Sequence, residues 1–198
     1  MISVATVALF YALLALVANV IVIGLVILRV AAPRSETARA WLDDVRGSIG
    51  QIALPVAWLV AVAATAGSLY FSEIAHFEPC RLCWYQRIAM YPLVVILGVA
   101  AWRQDASARR YAAPLAAIGG VIAAYHYVLE WLPSLDLGAC QLSTPCTLVY
   151  FRELGFISLP YLALSAFLLI LALLTLAQPR EHSEPVTRPA ERVPGAAA

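Results

Sequence analysis

Pro79-Cys80-Arg81-Leu82-Cys83-Trp84-Tyr85-Gln86-Arg87 sets a Cys-x-x-Cys pair at the mouth of an apolar stretch, with an arginine one turn further in. If this stretch starts a helix, Cys80, Cys83 and Arg87 fall at i, i+3 and i+7, so both sulfurs and the guanidinium share one face. Pro79 suits the first turn, where its missing N–H costs nothing. The cysteines then sit at the positive end of the helix dipole with Arg87 just below them. Both effects favour the thiolate, the reactive form of cysteine. The same pair also reads as half of a zinc site, or as two ordinary thiols in an apolar loop. The rest of the chain weighs between these readings.

The 198 residues are 63% hydrophobic, with mean hydropathy +0.83, whereas a soluble domain is roughly half apolar. The solvent of most of this chain is therefore lipid. A net charge of +1 argues against a nucleic-acid binder. No internal repeat is visible. Four cysteines make an even number. In a reducing compartment they suggest metal or redox chemistry, and in an oxidising one disulfides. Topology therefore decides how they are read.

Ile2 to Leu28 is an apolar run broken only by Asn19, long enough to span the ~30 Å hydrocarbon layer as a helix. A cleaved signal peptide would want a basic start and a shorter apolar core. There is no charge before Arg29, although Ala31-Ala32 could pass for a cleavage site. Residues 1–30 are thus expected to form a transmembrane helix. Residues 31–51 read as a cytoplasmic connector, in which Ser35 heads a short interfacial helix with Trp41 at the headgroups. Four further spans follow in residues 52–177: Ile52–Phe71, about Trp84–Trp102, Tyr111–Leu132 and Phe156–Ala177. Gly119-Gly120 allows close helix approach in the third of these. Residues 178–198, rich in Pro, Arg, Glu and Ala, read as a disordered cytoplasmic tail. The fold expected is an all-α transmembrane four-helix bundle with one extra N-terminal transmembrane helix.

Five spans alternate sides. The connector, the loop at 103–110 and the tail share one side, and they hold ten of the 13 arginines. Only Arg81, Arg87 and Arg152 lie on the other. The positive-inside rule makes the arginine-rich side cytoplasmic and both cysteine pairs extracytoplasmic.

The second pair, Cys140-Gln-Leu-Ser-Thr-Pro-Cys146, lies in the loop before the last span. A disulfide could close it. A staple over so short a loop stabilises little, about 2 kcal/mol or less by the chain-entropy model. An exposed disulfide attacked by an incoming thiolate is a better reason to keep two cysteines. Zinc held by all four sulfurs is the other bland reading, and the oxidising side argues against it. Arg87 either snorkels to the headgroups or donates to a carbonyl or anion beside Cys83. His126 and Glu130, at i and i+4 on the fourth span, read equally as a satisfied core or interfacial pair or as a quinone or proton site.

Cys80-Arg-Leu-Cys83-Trp-Tyr-Gln-Arg87 resembles the signature of the disulfide bond formation protein B (DsbB) family. The second pair follows between the next two spans, as that family requires. Tyr125-His126-Tyr127 leading to Leu132-Pro133, and Phe156-Ile157-Ser158-Leu159-Pro160-Tyr161, look like its shorter-loop, BdbC-like branch. The resemblance covers roughly residues 52–177. It implies a quinone-dependent protein-disulfide oxidoreductase of the bacterial inner membrane. Such an enzyme reoxidises a soluble DsbA-like thioredoxin-fold partner and passes two electrons to ubiquinone or menaquinone. It also implies roles by position. Cys140 would form the mixed disulfide with the partner, and Cys146 would relay towards Cys80. Cys83 would face the quinone with Arg87 polarising a ring oxygen, and His126 would lie near the ring.

Three features depart from the family pattern. The first span is extra to the four-span core. Gln86 stands where many members carry an acidic residue, and only five residues separate Cys140 from Cys146. Two rival readings remain. A vitamin K epoxide reductase-type enzyme also pairs a loop disulfide with a Cys-x-x-Cys, but there the loop pair precedes the Cys-x-x-Cys, and here it follows. A membrane scaffold with structural disulfides or zinc would keep its cysteines in one state.

Overall fold

The computed structural model describes residues 3–178, apart from 137, 139 and 141–143. The tail expected to be disordered lies, beyond Gln178, outside the described residues. The described residues form six α-helices: α1 (Val4–Ala31), α2 (Glu36–Ile49), α3 (Ala53–Leu69), α4 (Arg81–Arg103), α5 (Arg109–Trp131) and α6 (Leu159–Leu176). All but α2 lie in segments long and apolar enough to cross a membrane. The protein is therefore an all-α, multi-pass membrane protein.

Helices α3, α4, α5 and α6 pack in a ring, each against the next, and α1 packs outside it on α6. The core is largely aliphatic, with Leu93, Leu97, Ile170 and the ring of Phe167 all fully buried at its centre. Helices apolar on every side carry little directional information, so small residues decide where they approach. Gly119 of α5 is one such point. A Cβ there would lie 2.3 Å from Phe167 Cζ and 2.9 Å from Ala89 Cβ, so only glycine lets α4, α5 and α6 meet. At Gly120 the nearest atom would be Phe167 Cβ at 3.5 Å, an ordinary contact.

Two expectations shift at the ends of the helices. The second span runs on past Leu69 as a π-helical turn over Tyr70–Ile74. Helix α4 begins at Arg81, with Cys80 as its N-cap and Pro79 outside the helix rather than in its first turn. The chain around 31–51 does form a short helix, α2, capped by Ser35 and with Trp41 exposed.

The cysteine-bearing end of the bundle is tied together by aromatic rings. Phe77, between α3 and α4, stacks on Tyr150 with centroids 4.4 Å apart, and also on Phe71 at 5.8 Å. The Tyr150 hydroxyl donates to the Glu78 carbonyl at 2.9 Å. These contacts dock the loop after α5 against the approach to α4. At the opposite end, Gln178 N–H donates to Gly50 O at 3.2 Å, joining the end of α6 to the end of α2.

Gly119→Ala should overfill this crossing by about 1–3 kcal/mol and lower the melting temperature in detergent, whereas Gly120→Ala should leave it nearly unchanged. Equal melting temperatures for the two variants would contradict this packing.

Candidate redox centre

Helix α4 needs an acceptor for its first N–H groups, and the Cys80 sulfur supplies it, accepting from Cys83 N–H at 3.3 Å. The two sulfurs lie 2.9 Å apart. Cys80 is buried and Cys83 is half-buried. Cys140 and Cys146 form a disulfide. Cys146 is buried, and Cys140 is partly exposed. Cys80, Cys146, Leu82 and Leu129 share one apolar cluster, with Cys83 and Cys140 packed against it. The fold thus gathers four sulfurs from two distant segments into one place.

His126 of α5 is the polar hub of this cluster. Its Nε2 lies 3.0 Å from the Cys146 carbonyl oxygen and 3.7 Å from Cys80 Sγ. Its Nδ1 lies 3.0 Å from Gln86 Nε2. A carbonyl oxygen only accepts, so Nε2 carries a proton. The Gln86 amide, with its nitrogen turned to Nδ1, donates, and Nδ1 accepts. The imidazole in this arrangement is neutral, with its one N–H directed at the Cys146 carbonyl and the Cys80 sulfur. Glu130 is not hydrogen-bonded to His126. It accepts from the Ser158 hydroxyl instead.

The reduced Cys80 thiol is held well below its ordinary pKa. The Cys83 side chain donating to its sulfur is the largest cause, and the hydrogen bond from His126 adds to it against the opposing effect of burial. Thiolate at Cys80 is therefore the ready state of this pair.

Arg87 lies two turns into α4, and its guanidinium is tied by hydrogen bonds to α3. Nε donates to Ser68 Oγ and Nη2 to the Ser68 carbonyl, both at 3.0 Å, and the group lies 5.3 Å from the Trp84 ring centroid. These contacts fix Arg87 in the wall of a cavity of about 390 Å³, bordered also by Cys83, Gln86, Ser68, Met90 and Tyr91. His126 borders a separate pocket of about 20 Å³, with Cys80, Cys83 and Glu130. Of the four cysteines, Cys83 is the one that borders both spaces. The structure thus places Arg87 and Cys83 on the large cavity, and His126 among the sulfurs.

The sequence reading singled out neither Gln86 as the partner of His126 nor Ser68 as the partner of Arg87. Both pairings are contacts between helices. A polar residue in an apolar span was the one available signal.

Residues 51–177 match the family of disulfide bond formation protein DsbB. The chain belongs to that family. It is 47% identical over 124 residues to disulfide bond formation protein C of Bacillus subtilis, covering 62% of this chain and 90% of that protein. It is likewise 47% identical over 121 residues to a probable disulfide formation protein C of Bacillus anthracis, covering 61% and 87%. A second such protein from Bacillus cereus is 40% identical over 131 residues, covering 66% and 94%. These matches support the BdbC-like branch. No solved structure matches. The chain is a membrane protein-disulfide oxidoreductase of the DsbB family.

In the reduced protein, with Cys140→Ser and Cys146→Ser removing the second pair, ultraviolet thiolate absorbance should report Cys80. A group whose pKa is lowered is ionised above that lowered value, so absorbance should persist well below the ordinary thiol value of ~8.5 and vanish only in acid. His126→Leu should move this step upward, and Cys80→Ser should abolish it. A single step in the ordinary range, unmoved by His126→Leu, would contradict the assigned contacts.

Proposed function

We propose that this enzyme oxidises a soluble thioredoxin-fold, DsbA-like protein at the extracytoplasmic face of the bacterial inner membrane and delivers the electrons to membrane quinone. The observation that carries this reading is the gathering of both cysteine pairs into one cluster, with Cys83 alone also facing the large cavity.

The exchange follows from the exposure of each sulfur. The partner's thiolate attacks partly exposed Cys140, the Cys140–Cys146 bond breaks, and Cys146 leaves as thiolate beside His126. The partner's second thiol then attacks its own mixed-disulfide sulfur. Its disulfide forms, and Cys140 is released as thiol. The partner has lost two electrons and Cys140/Cys146 have gained them. The Cys140/Cys146 dithiol next passes its electrons to an oxidised Cys80–Cys83 pair by the same chemistry. Cys146 attacks Cys80, Cys83 leaves, and Cys140 closes the loop disulfide again. The Nε2–H of His126, directed at both the Cys80 sulfur and the Cys146 carbonyl, orients these two groups and stabilises the thiolate that forms there.

The large cavity fits a quinone by its chemistry. Its walls are mainly apolar side chains of the membrane-spanning helices. Cys83, Arg87 and Gln86 provide polar groups at one end. Tyr91 borders it with a buried hydroxyl that has no hydrogen-bond partner among the described residues. Its volume of about 390 Å³ falls in the range of small-molecule sites. When bound, quinone takes up two electrons and two protons. Arg87, held by Ser68 and Trp84, would present positive charge to a ring oxygen, and Cys83 would lie beside the ring. His126 borders the small pocket instead, so its part is with the sulfurs.

Purified protein supplied with a reduced DsbA-like protein should reduce ubiquinone or menaquinone, followed by quinone absorbance. Cys83→Ala and Cys140→Ser should each abolish turnover. Arg87→Gln should slow the quinone step by about 10²-fold or more, in the range of lost oxyanion donors, while leaving partner oxidation in a single turnover intact. No turnover with either quinone, in folded protein holding both disulfides, would overturn the proposal.

A further inference from the structure

Helix α1 lies outside the residues matched to the DsbB family, yet the structure builds it into the large cavity. Three polar ties hold it. Near one end the Tyr11 hydroxyl donates to the Ala63 carbonyl of α3 at 3.1 Å. The Tyr11 ring lies so close to Gly67 that a Cβ there would stand 2.7 Å from Tyr11 Cζ. Midway, Asn19 donates to the Tyr161 hydroxyl at 2.9 Å and to Ser165 Oγ at 3.0 Å, both on α6. At the far end Arg29 donates to the Thr175 carbonyl at 3.3 Å. A polar side chain inside an apolar span needs such partners, and Asn19 therefore fixes α1 in register on α6.

So held, α1 presents Leu14, Ala15, Ala18 and Ile21 to the cavity, facing α3 across it, with α6 also in the wall. Along α3 and the π-helical turn that continues it the lining residues run from Ser72 back to Val56, a rise of about 24 Å. That is most of the ~30 Å hydrocarbon layer. The polar groups lie at the Cys83 end, and a redox ring fills only that end. The remaining length is apolar and matches an extended hydrocarbon chain. Leu14 and Ile21 of α1 and Leu59 of α3 line this space and are exposed, so it is accessible from the surroundings of the bundle.

We propose that α1 is the closing wall of the electron-acceptor site and grips the acceptor's isoprenoid tail, with the ring at Cys83 and Arg87 and the tail running between α1 and α3. This rests on the quinone reading above and adds to it a binding element outside the family core. Tyr11 straps α1 to α3 above the tail, and Asn19 sets the width of the space.

The test is equilibrium binding to the purified full chain in detergent, read by quenching of tryptophan fluorescence, with Trp84 beside Arg87 as the nearest reporter. Two probes share one ring: menaquinone with four isoprene units, and menadione, which has no tail. Ubiquinone with four units and its tail-free form make a second pair. The wild type should bind the tailed member of at least one pair more tightly. Ala15→Phe, which fills the tail space, should weaken tailed binding about tenfold, a modest share of what burying one isoprene unit contributes. It should leave the tail-free Kd within about twofold. Leu14→Ala, on the partly lipid-exposed side and tolerant of truncation, should weaken tailed binding about threefold with the same selectivity. It decides the matter should Ala15→Phe fail to fold. Unchanged tailed binding in folded variants, or equal weakening of both probes, would overturn the role of α1 and leave the quinone reading standing. Bound phospholipid that no tailed quinone displaces would overturn it too. A wild type that binds neither member of either pair would overturn the quinone reading itself.

Discussion

The Cys80 sulfur caps α4, and much of the centre depends on that one contact. A helix entering from a loop must satisfy its first N–H groups. Here the Cys83 N–H is satisfied by a redox atom. Pro79 stands just outside, so the start of the helix and the position of the sulfur are set together. From that start Cys83 falls within the first turn, Gln86 faces α5 and Arg87 faces α3. Helix geometry carries the placement of one sulfur into the placement of the whole centre. The hydrogen bonds that hold Cys80 as thiolate come from the same few neighbours, the side chain and N–H of Cys83 and the imidazole of His126.

Lipid as solvent explains why the polar groups come in interhelical pairs. Water is absent from the hydrocarbon layer, so each buried polar side chain must find a partner on a neighbouring helix. Gln86 finds His126, Arg87 finds Ser68, and Asn19 finds Tyr161 and Ser165. Each pair also fixes how two helices sit against each other. Positioning of chemical groups and assembly of the bundle are therefore the same set of contacts. Tyr91 and Thr65 keep buried hydroxyls with no partner among the described residues, and Tyr91 stands on the large cavity, where a ligand could supply one.

Much of the fold was legible because span length and arginine placement are one-dimensional signals. The five spans and the N-terminal addition came from apolar run lengths, and Gly119 was legible as a close-approach point because its lack of a side chain is written in the sequence. Facing was not legible. Helices that are apolar all round have no stripe to say which side meets which neighbour. Arg87 shows the consequence. Its i+4 offset from Cys83 put it on the face of the sulfurs but could not name its hydrogen-bond partner, because Ser68 lies on another helix. His126 was read as a quinone or core residue because its partners, Gln86 and the Cys146 carbonyl, come from far along the chain. Pro79 was read one position too far into the helix, since a sulfur acting as N-cap is an unusual choice beside Ser, Thr, Asp and Asn.

Both cysteine pairs acting as one relay is the centre of this account, and a disulfide between the pairs tests it most directly. In membranes carrying the Cys83→Ser, Cys140→Ser double variant, only Cys80 and Cys146 remain. Peptide mass mapping under mild oxidation should find them joined, because both are buried in one apolar cluster around His126. Recovery of both as separately alkylated free thiols, in protein that is folded by its melting temperature, would contradict the relay.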